Sequence, residues 1–260
     1  MKYITLLLSA AFIILLSASP ETAIKSGVYE WQNLSPRKNK NGDIREILKD
    51  QTRSLDIFEI KAVTLERGKS LKKYKIPEGF DELIIIKSGS AGITVNKESG
   101  IMGEGSIVVA SQEDLVKISN RSDAGLTFYS LRFKPKSGNQ GEAKANMATP
   151  LFRDWNNIEF KAGPKGGKRD IMRQPTSALK ELEIHTTALN EGIASHAAHT
   201  HPDEEIILVR FGTVEETING VTHKAGPGSV IFLSNDDNHS IRNAGEGQCE
   251  YYAIRWITNP

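Results

Sequence analysis

The sequence predicts an all-β protein made of two tandem, related halves, each a barrel or sandwich of short strands, with few short helices. Two observations carry this. The first is internal repetition: 124 positions after Trp31, Asn33, Gly42, Arg45, Thr52, Leu55, Glu59 and Gly68 stand Trp155, Asn157, Gly166, Arg169, Thr176, Leu179, Glu183 and Gly192. After a one-residue slip, Glu82, Gly89, Asn96, Gly105, Asn120, Tyr129 and Arg132 meet Glu205, Gly212, Asn219, Gly228, Asn243, Tyr252 and Arg255. A repeat of this length fixes the architecture before any local reading. The second is local pattern: short runs such as Leu83 to Lys87, Ile206 to Phe211, Val230 to Leu233 and Tyr251 to Trp256 are rich in β-branched and aromatic residues and are separated by turn residues.

Taken in order, the chain opens on Met1 and Lys2, an apolar run from Ile4 to Leu16, and the small residues Ser17, Ala18 and Ser19. A basic start, a short apolar stretch and small residues describe a secretory signal peptide over residues 1–19, cleaved between 19 and 23; the run is short for a bilayer span. The expectation is a periplasmic or secreted protein, free of the membrane after cleavage. The first half then covers 24–136, a Gly-, Lys- and Ser-containing linker 137–147, and the second half 148–260. Asp43 to Lys49 is the stretch that reads as a short helix. Asn219-Gly220 and Gly226-Pro227-Gly228 mark turns, where Gly or Asn takes positive φ. Trp31 and Trp155 lead symmetric entry segments, expected to cross between the halves.

The formal net charge of +1 offers no field for nucleic acid or anionic membranes, so neither is expected as a partner. The basic cluster Arg37, Lys38 and Lys40 reads as a solvated loop. Cys249 is the only cysteine. It therefore has no internal disulfide partner and is expected as a small buried side chain.

All six histidines, His185, His196, His199, His201, His223 and His239, lie in the second half. His199 and His201 flank one residue, so on an extended strand their imidazoles share a face and can hold one ion, with the carboxylate of Glu205 four residues on. Such nitrogen and oxygen donors suit Mn, Fe, Co, Ni, Cu or Zn.

Gly192, His199-x-His201, Glu205 and Gly212, followed by Gly226-Pro227-Gly228, His239 and Asn243, resemble the two motifs of the cupin superfamily. The resemblance implies two tandem double-stranded β-helix (jelly-roll) barrels, a bicupin, with one divalent transition metal held by His199, His201, Glu205 and His239. The first half is a degenerate cupin: the alignment puts Ile76 and Glu78 in place of His199 and His201, and Val116 in place of His239, while Glu82 matches Glu205 as a structural group. Dimerisation is common among cupins, so a homodimer is an expectation of the resemblance. Two-domain cupins that the chain resembles include oxalate-degrading enzymes, flavonol and gentisate dioxygenases, and ureidoglycine aminohydrolase, which has glutamine where His239 stands.

A metal with open positions binds vicinal oxygens, polarises a carbonyl, stabilises an enediolate or activates water or dioxygen. The sequence therefore predicts an exported metal-dependent enzyme acting on a small oxygen-rich molecule. One branch is dioxygenase or decarboxylase chemistry, the other isomerase or lyase chemistry on a sugar acid. The alternatives are a non-catalytic sugar- or metal-binding protein and a ureidoglycine aminohydrolase-like enzyme. His196 and His185 are the candidate catalytic acid or base, near neutral pH. Tyr252 and Arg255, shared with the first half, and the pair Glu215-Glu216 read as structural and as a solvated edge respectively.

Overall fold

Strands organise nearly everything in the computed structural model of this chain, which describes residues 23–136 and 150–258. The expected signal peptide, residues 1–19, lies outside the described residues, as does the expected linker 137–147. Each half folds into one large and one small antiparallel sheet, closed face to face as a double-stranded β-helix. In the first half the large sheet runs 151–153, 107–111, 81–88, 126–135, 55–65, 42–50 and 37–39. In the second it runs 27–29, 230–233, 204–211, 249–257, 181–189, 166–174 and 161–163. The helical pieces among the described residues are two single 3-10 turns, Trp31–Asn33 and Trp155–Asn157.

The terminal strands of these two orders are exchanged. Gly27–Tyr29 pairs with Val230–Phe232 of the second barrel, and Leu151–Arg153 pairs with Ile107–Val109 of the first. The two tryptophans that follow each land on a glycine of the opposite barrel. A Cβ on Gly228 would lie 2.8 Å from the Trp31 indole, and one on Gly105 2.5 Å from that of Trp155, so only glycine fits at these two places. Tyr129 donates its hydroxyl to the Gly228 carbonyl and Tyr252 donates to that of Gly105. The repeated Trp, Gly and Tyr are thus an interlock between barrels.

Period-two alternation divides each strand between two cores. Ile206, Leu208 and Ile254 face a central cluster shared by the halves, where Phe58, Phe133, Phe232 and Trp256 stack with centroids 4.9 to 6.5 Å apart. Ile207, Val209, Tyr251 and Cys249 face the interior of the second barrel. Cys249 is fully buried. Two buried carboxylates stitch the shared face. Glu204 accepts from Thr52 Oγ1 at 2.7 Å, from the Arg53 backbone at 2.9 Å and from Ser54. Its repeat partner Asp81 accepts from Thr176, from Ser177 Oγ at 2.8 Å and from the Ala178 backbone at 2.8 Å.

Two local expectations are corrected. Asp43 to Lys49 is not helix but lies within strand Gly42–Asp50. A bulge between Glu46 and Leu48 buries both Ile47 and Leu48, and with Ile44 this reproduces the i, i+3, i+4 spacing of a helix. Arg37 and Lys38 are not in a loop but on an exposed edge strand, paired with Ile44 and Asp43. Charge on an edge is what keeps it from pairing with another sheet.

Candidate metal centre

The second barrel brings the predicted ligands together from three places. His199 and His239 form an isolated antiparallel bridge, exchanging backbone hydrogen bonds at 3.1 and 3.0 Å. His201 follows on the same face, and Glu205 is the second residue of strand 204–211, turned inward because Glu204 turns to the other barrel. The donor atoms of His199, His201 and His239 all lie within 4.8 Å of one another. Glu205 Oε2 is 3.1 Å from His201 Nε2 and 3.9 Å from His239 Nε2. Ligands each about 2.1 Å from a common ion stand roughly 3 to 4 Å apart, so the two Glu205 distances match one ion, and the imidazole donors, spread over at most 4.8 Å, each need to close in by less than about 1 Å to share it.

The outer nitrogens are occupied in the manner a metal ligand requires. His201 Nδ1 faces the Asp203 carbonyl at 2.8 Å and His239 Nδ1 faces that of Asp237 at 2.9 Å. A carbonyl there holds the proton on Nδ1 and turns the Nε2 lone pair inward. Burial, with the neighbouring imidazoles, lowers the pKa of His199, and burial lowers that of His239. Both are therefore neutral and ready to ligate at neutral pH. The hydrogen bond that protonated His201 donates through Nε2 to the Glu205 carboxylate raises the His201 pKa, so a bound ion would have to displace that proton.

The centre opens into a cavity of about 210 Å³ lined by Thr187, Ile207, Leu233, Ile241 and Tyr251 among others. His196, exposed at the rim, packs edge-on against His199 with centroids 4.2 Å apart. His185 lines the cavity too, its Nδ1 3.6 Å from Glu183, with burial lowering its pKa. Arg255 reaches the cavity as well but is held by Glu183 and Asp203. Tyr252 lies at the barrel interface, and its neighbour Tyr251, which the sequence reading passed over, is the tyrosine of the cavity. His223 lies outside it.

Glu216 overturns the expectation of a solvated edge. Strand Val214–Ile218 alternates buried and half-buried, so Glu216 points inward with Val214 and Ile218 and is 0% exposed. It lines the cavity, and both its oxygens are buried without a formed hydrogen bond. Burial, with the charge of Glu205, pushes its pKa up to about 8, the Ser240 backbone N–H offsetting this only in part. The signal was available: Val214 and Ile218 are apolar at even spacing on either side of it.

The first barrel corrects the alignment of the repeats. Tyr74 pairs with Val116 as His199 bridges His239, and the Ile76 carbonyl accepts from Glu113 as that of His201 accepts from Asp236. Tyr74 and Ile76, not Ile76 and Glu78, therefore stand where His199 and His201 stand. The mismatch arises because the chain gains one residue before His199 and loses two after His201, which a single slip does not capture.

Residues 186–255 match the family model described as cupin domain. A 45-residue stretch is 36% identical to the HTH-type transcriptional activator RhaS of Mannheimia succiniciproducens, covering 17% of each chain. The chain thus spans a small part of that relative. Among solved structures, protein Ylba from E. coli superposes with a TM-score of 0.72 at 12% identity, over 95% of this chain and 98% of that one. The Lactobacillus farciminis oxalate decarboxylase, a formate complex, gives 0.70 at 14%, over 91% and 87%. Bacillus subtilis oxalate decarboxylase, described for its Mn(II) centres, gives 0.69 at 14%, over 92% and 79%. At such identities the likeness is one of fold.

Proposed function

We propose that this chain of two barrels, whose residues 186–255 match the cupin domain model and whose ligand motif is intact only in the C-terminal barrel, is a metal-dependent enzyme acting on a small oxygen-rich molecule. The observation that carries the reading is the convergence of three imidazoles and Glu205 on one cavity, with the outer nitrogens of His201 and His239 held by backbone carbonyls. His199, His201, Glu205 and His239 would hold the ion, one of Mn, Fe, Co, Ni, Cu or Zn. When bound, such an ion supplies Lewis acidity toward substrate oxygens.

The chain's own residues then divide the work. The cavity of about 210 Å³ limits the substrate to a small molecule, and Ile207, Leu233 and Ile241 exclude water from one side of it. His185, kept neutral by burial, is the base or hydrogen-bond acceptor within the cavity. His196 at the rim exchanges protons with solvent. Dioxygenase or decarboxylase chemistry and isomerase or lyase chemistry on a sugar acid both use this arrangement. The ureidoglycine aminohydrolase-like alternative is weakened by His239 standing where that enzyme has glutamine. The leading residues 1–19 support export to the periplasm or beyond the cell, and a homodimer follows only from the family's habit.

A second reading, a non-catalytic binding protein, draws on the likeness of one 45-residue stretch to a transcriptional activator. Metal-loaded protein assayed against oxalate, a flavonol, gentisate and an unsaturated uronate separates the two. Turnover of one of them, lost in His199→Ala and His239→Ala, supports the enzyme. Binding without turnover across the panel supports the second reading.

A further inference from the structure

We infer that Glu216 is a specificity residue, the acceptor for an N–H or O–H group at the end of the substrate remote from the metal. The inference rests on the reading of a metal-dependent site in this barrel, and it narrows the substrate class. Such a substrate offers oxygen to the ion and a hydrogen-bond donor, hydroxyl, amine or amide, to Glu216.

The argument begins with how other buried carboxylates are treated. Glu204 and Asp81 each accept from at least three donors across the barrel interface. Glu250 is held by Arg169, Arg210 and Thr186, and Glu82 by Ser130 and Arg132. Glu216 alone among these has both oxygens buried without a formed hydrogen bond. Leaving a buried polar group unsatisfied is costly, so such a group is kept for what it later binds.

The fold does not ask for it. In the first barrel the equivalent position is Ile93, which pairs with Ile118 as Glu216 pairs with Ile241. Ile93 is 1% exposed and packs within the hydrophobic cluster of that barrel. The same strand of the same barrel is thus satisfied by a hydrocarbon side chain. On the neighbouring strands only the Ser240 backbone N–H comes near it, short of a formed hydrogen bond; Ile241 lies beside it, and the Tyr251 hydroxyl is turned to Ser195 and Thr187. What remains is the cavity that the histidines share. Both oxygens lack a partner and a neutral carboxyl carries its proton on only one of them, so at least one oxygen is an acceptor and its missing partner is a donor.

The test uses pairs of probes of nearly equal shape in which one carboxylate is replaced by a primary amide, which adds N–H donors and removes one charge. The pairs are oxalate against oxamate, and malonate against malonamate, the second reaching one carbon further. Glu216→Gln, neutral but still an acceptor, is the control for charge. Each is titrated calorimetrically into metal-loaded wild type, Glu216→Leu and Glu216→Gln, with metal content measured on the same samples. The expected result is that the ratio of amide to diacid affinity falls by roughly tenfold or more in Glu216→Leu for at least one pair, the scale of one hydrogen bond to a charged group. In Glu216→Gln the ratio falls less, metal content is unchanged in both variants, and both melt no lower than wild type. Ratios unchanged within about twofold for both pairs, in proteins that hold their metal, overturn the inference alone. Wild type that takes up no metal overturns the underlying reading, and this inference with it.

Discussion

Two barrels with repeated sequence and matching strand order keep the same glutamate and use it differently. In the first, Glu82 accepts from Ser130 and from Arg132 at 3.4 Å, and Tyr74 leans on it, so the carboxylate is tied on three sides. In the second, Ser130 has become Ala253 and Tyr74 has become His199, while Arg255 turns away to Glu183 and Asp203. Glu205 is released from its structural partners and faces His201 and His239 instead. The interior changes in step: Val116 and Ile93 fill the first barrel, where His239 and Glu216 leave a polar cavity in the second. Retention of a residue in both copies therefore does not make its role common to both. The partners decide.

The largest effect that bears on this comparison concerns what the halves share. Removing either interface carboxylate, by Glu204→Ala or Asp81→Ala, strands buried hydroxyls and backbone donors and should cost on the order of 3 to 5 kcal/mol each, read as urea midpoints. A loss from one variant only would show the two clasps to be unequal.

Next comes the polar interior itself. With its pKa raised from 4.5 to about 8, Glu216 stays protonated in the folded state while it ionises in the unfolded chain. Stability contributed by that difference is present below about pH 4.5 and is lost as pH rises toward 8. Metal-free wild type should therefore lose on the order of 3 kcal/mol relative to Glu216→Gln between pH 5 and 8, measured by thermal melts at each pH. A gap that does not widen with pH places the carboxyl in water.

Glu205→Gln is expected to weaken metal binding by roughly 10 to 100-fold, about 1.4 to 2.8 kcal/mol, in a chelator competition, while Glu82→Gln leaves it unchanged. The smallest effect is a control on the outer surface: Arg37 and Glu46 are both largely exposed at 3.3 Å, and Arg37→Ala should cost less than about 1 kcal/mol.

Much of this was legible because it repeats or alternates. The tandem register exposed two barrels, and paired Trp, Gly and Tyr residues were recognisable as shared machinery, although their interlocking across the halves is a matter of tertiary approach. His199, His201 and His239 stood out by residue type and spacing. Glu216 was lost because two adjacent glutamates look like a wet edge, and only the inward turn of alternate residues between Val214 and Ile218 distinguishes them. The bulge at Glu46 imitated a helix, and the compensating one- and two-residue length changes around the histidines hid Tyr74 as the counterpart of His199.

The central claim, one metal site in one barrel, is tested most directly by metal analysis of purified protein after loading and exhaustive dialysis. The account predicts one ion per chain in wild type and in Tyr74→Ala, and none in His199→Ala or His239→Ala proteins that retain their strand circular dichroism. Two ions per wild-type chain, or full metal content in both histidine variants, would contradict it.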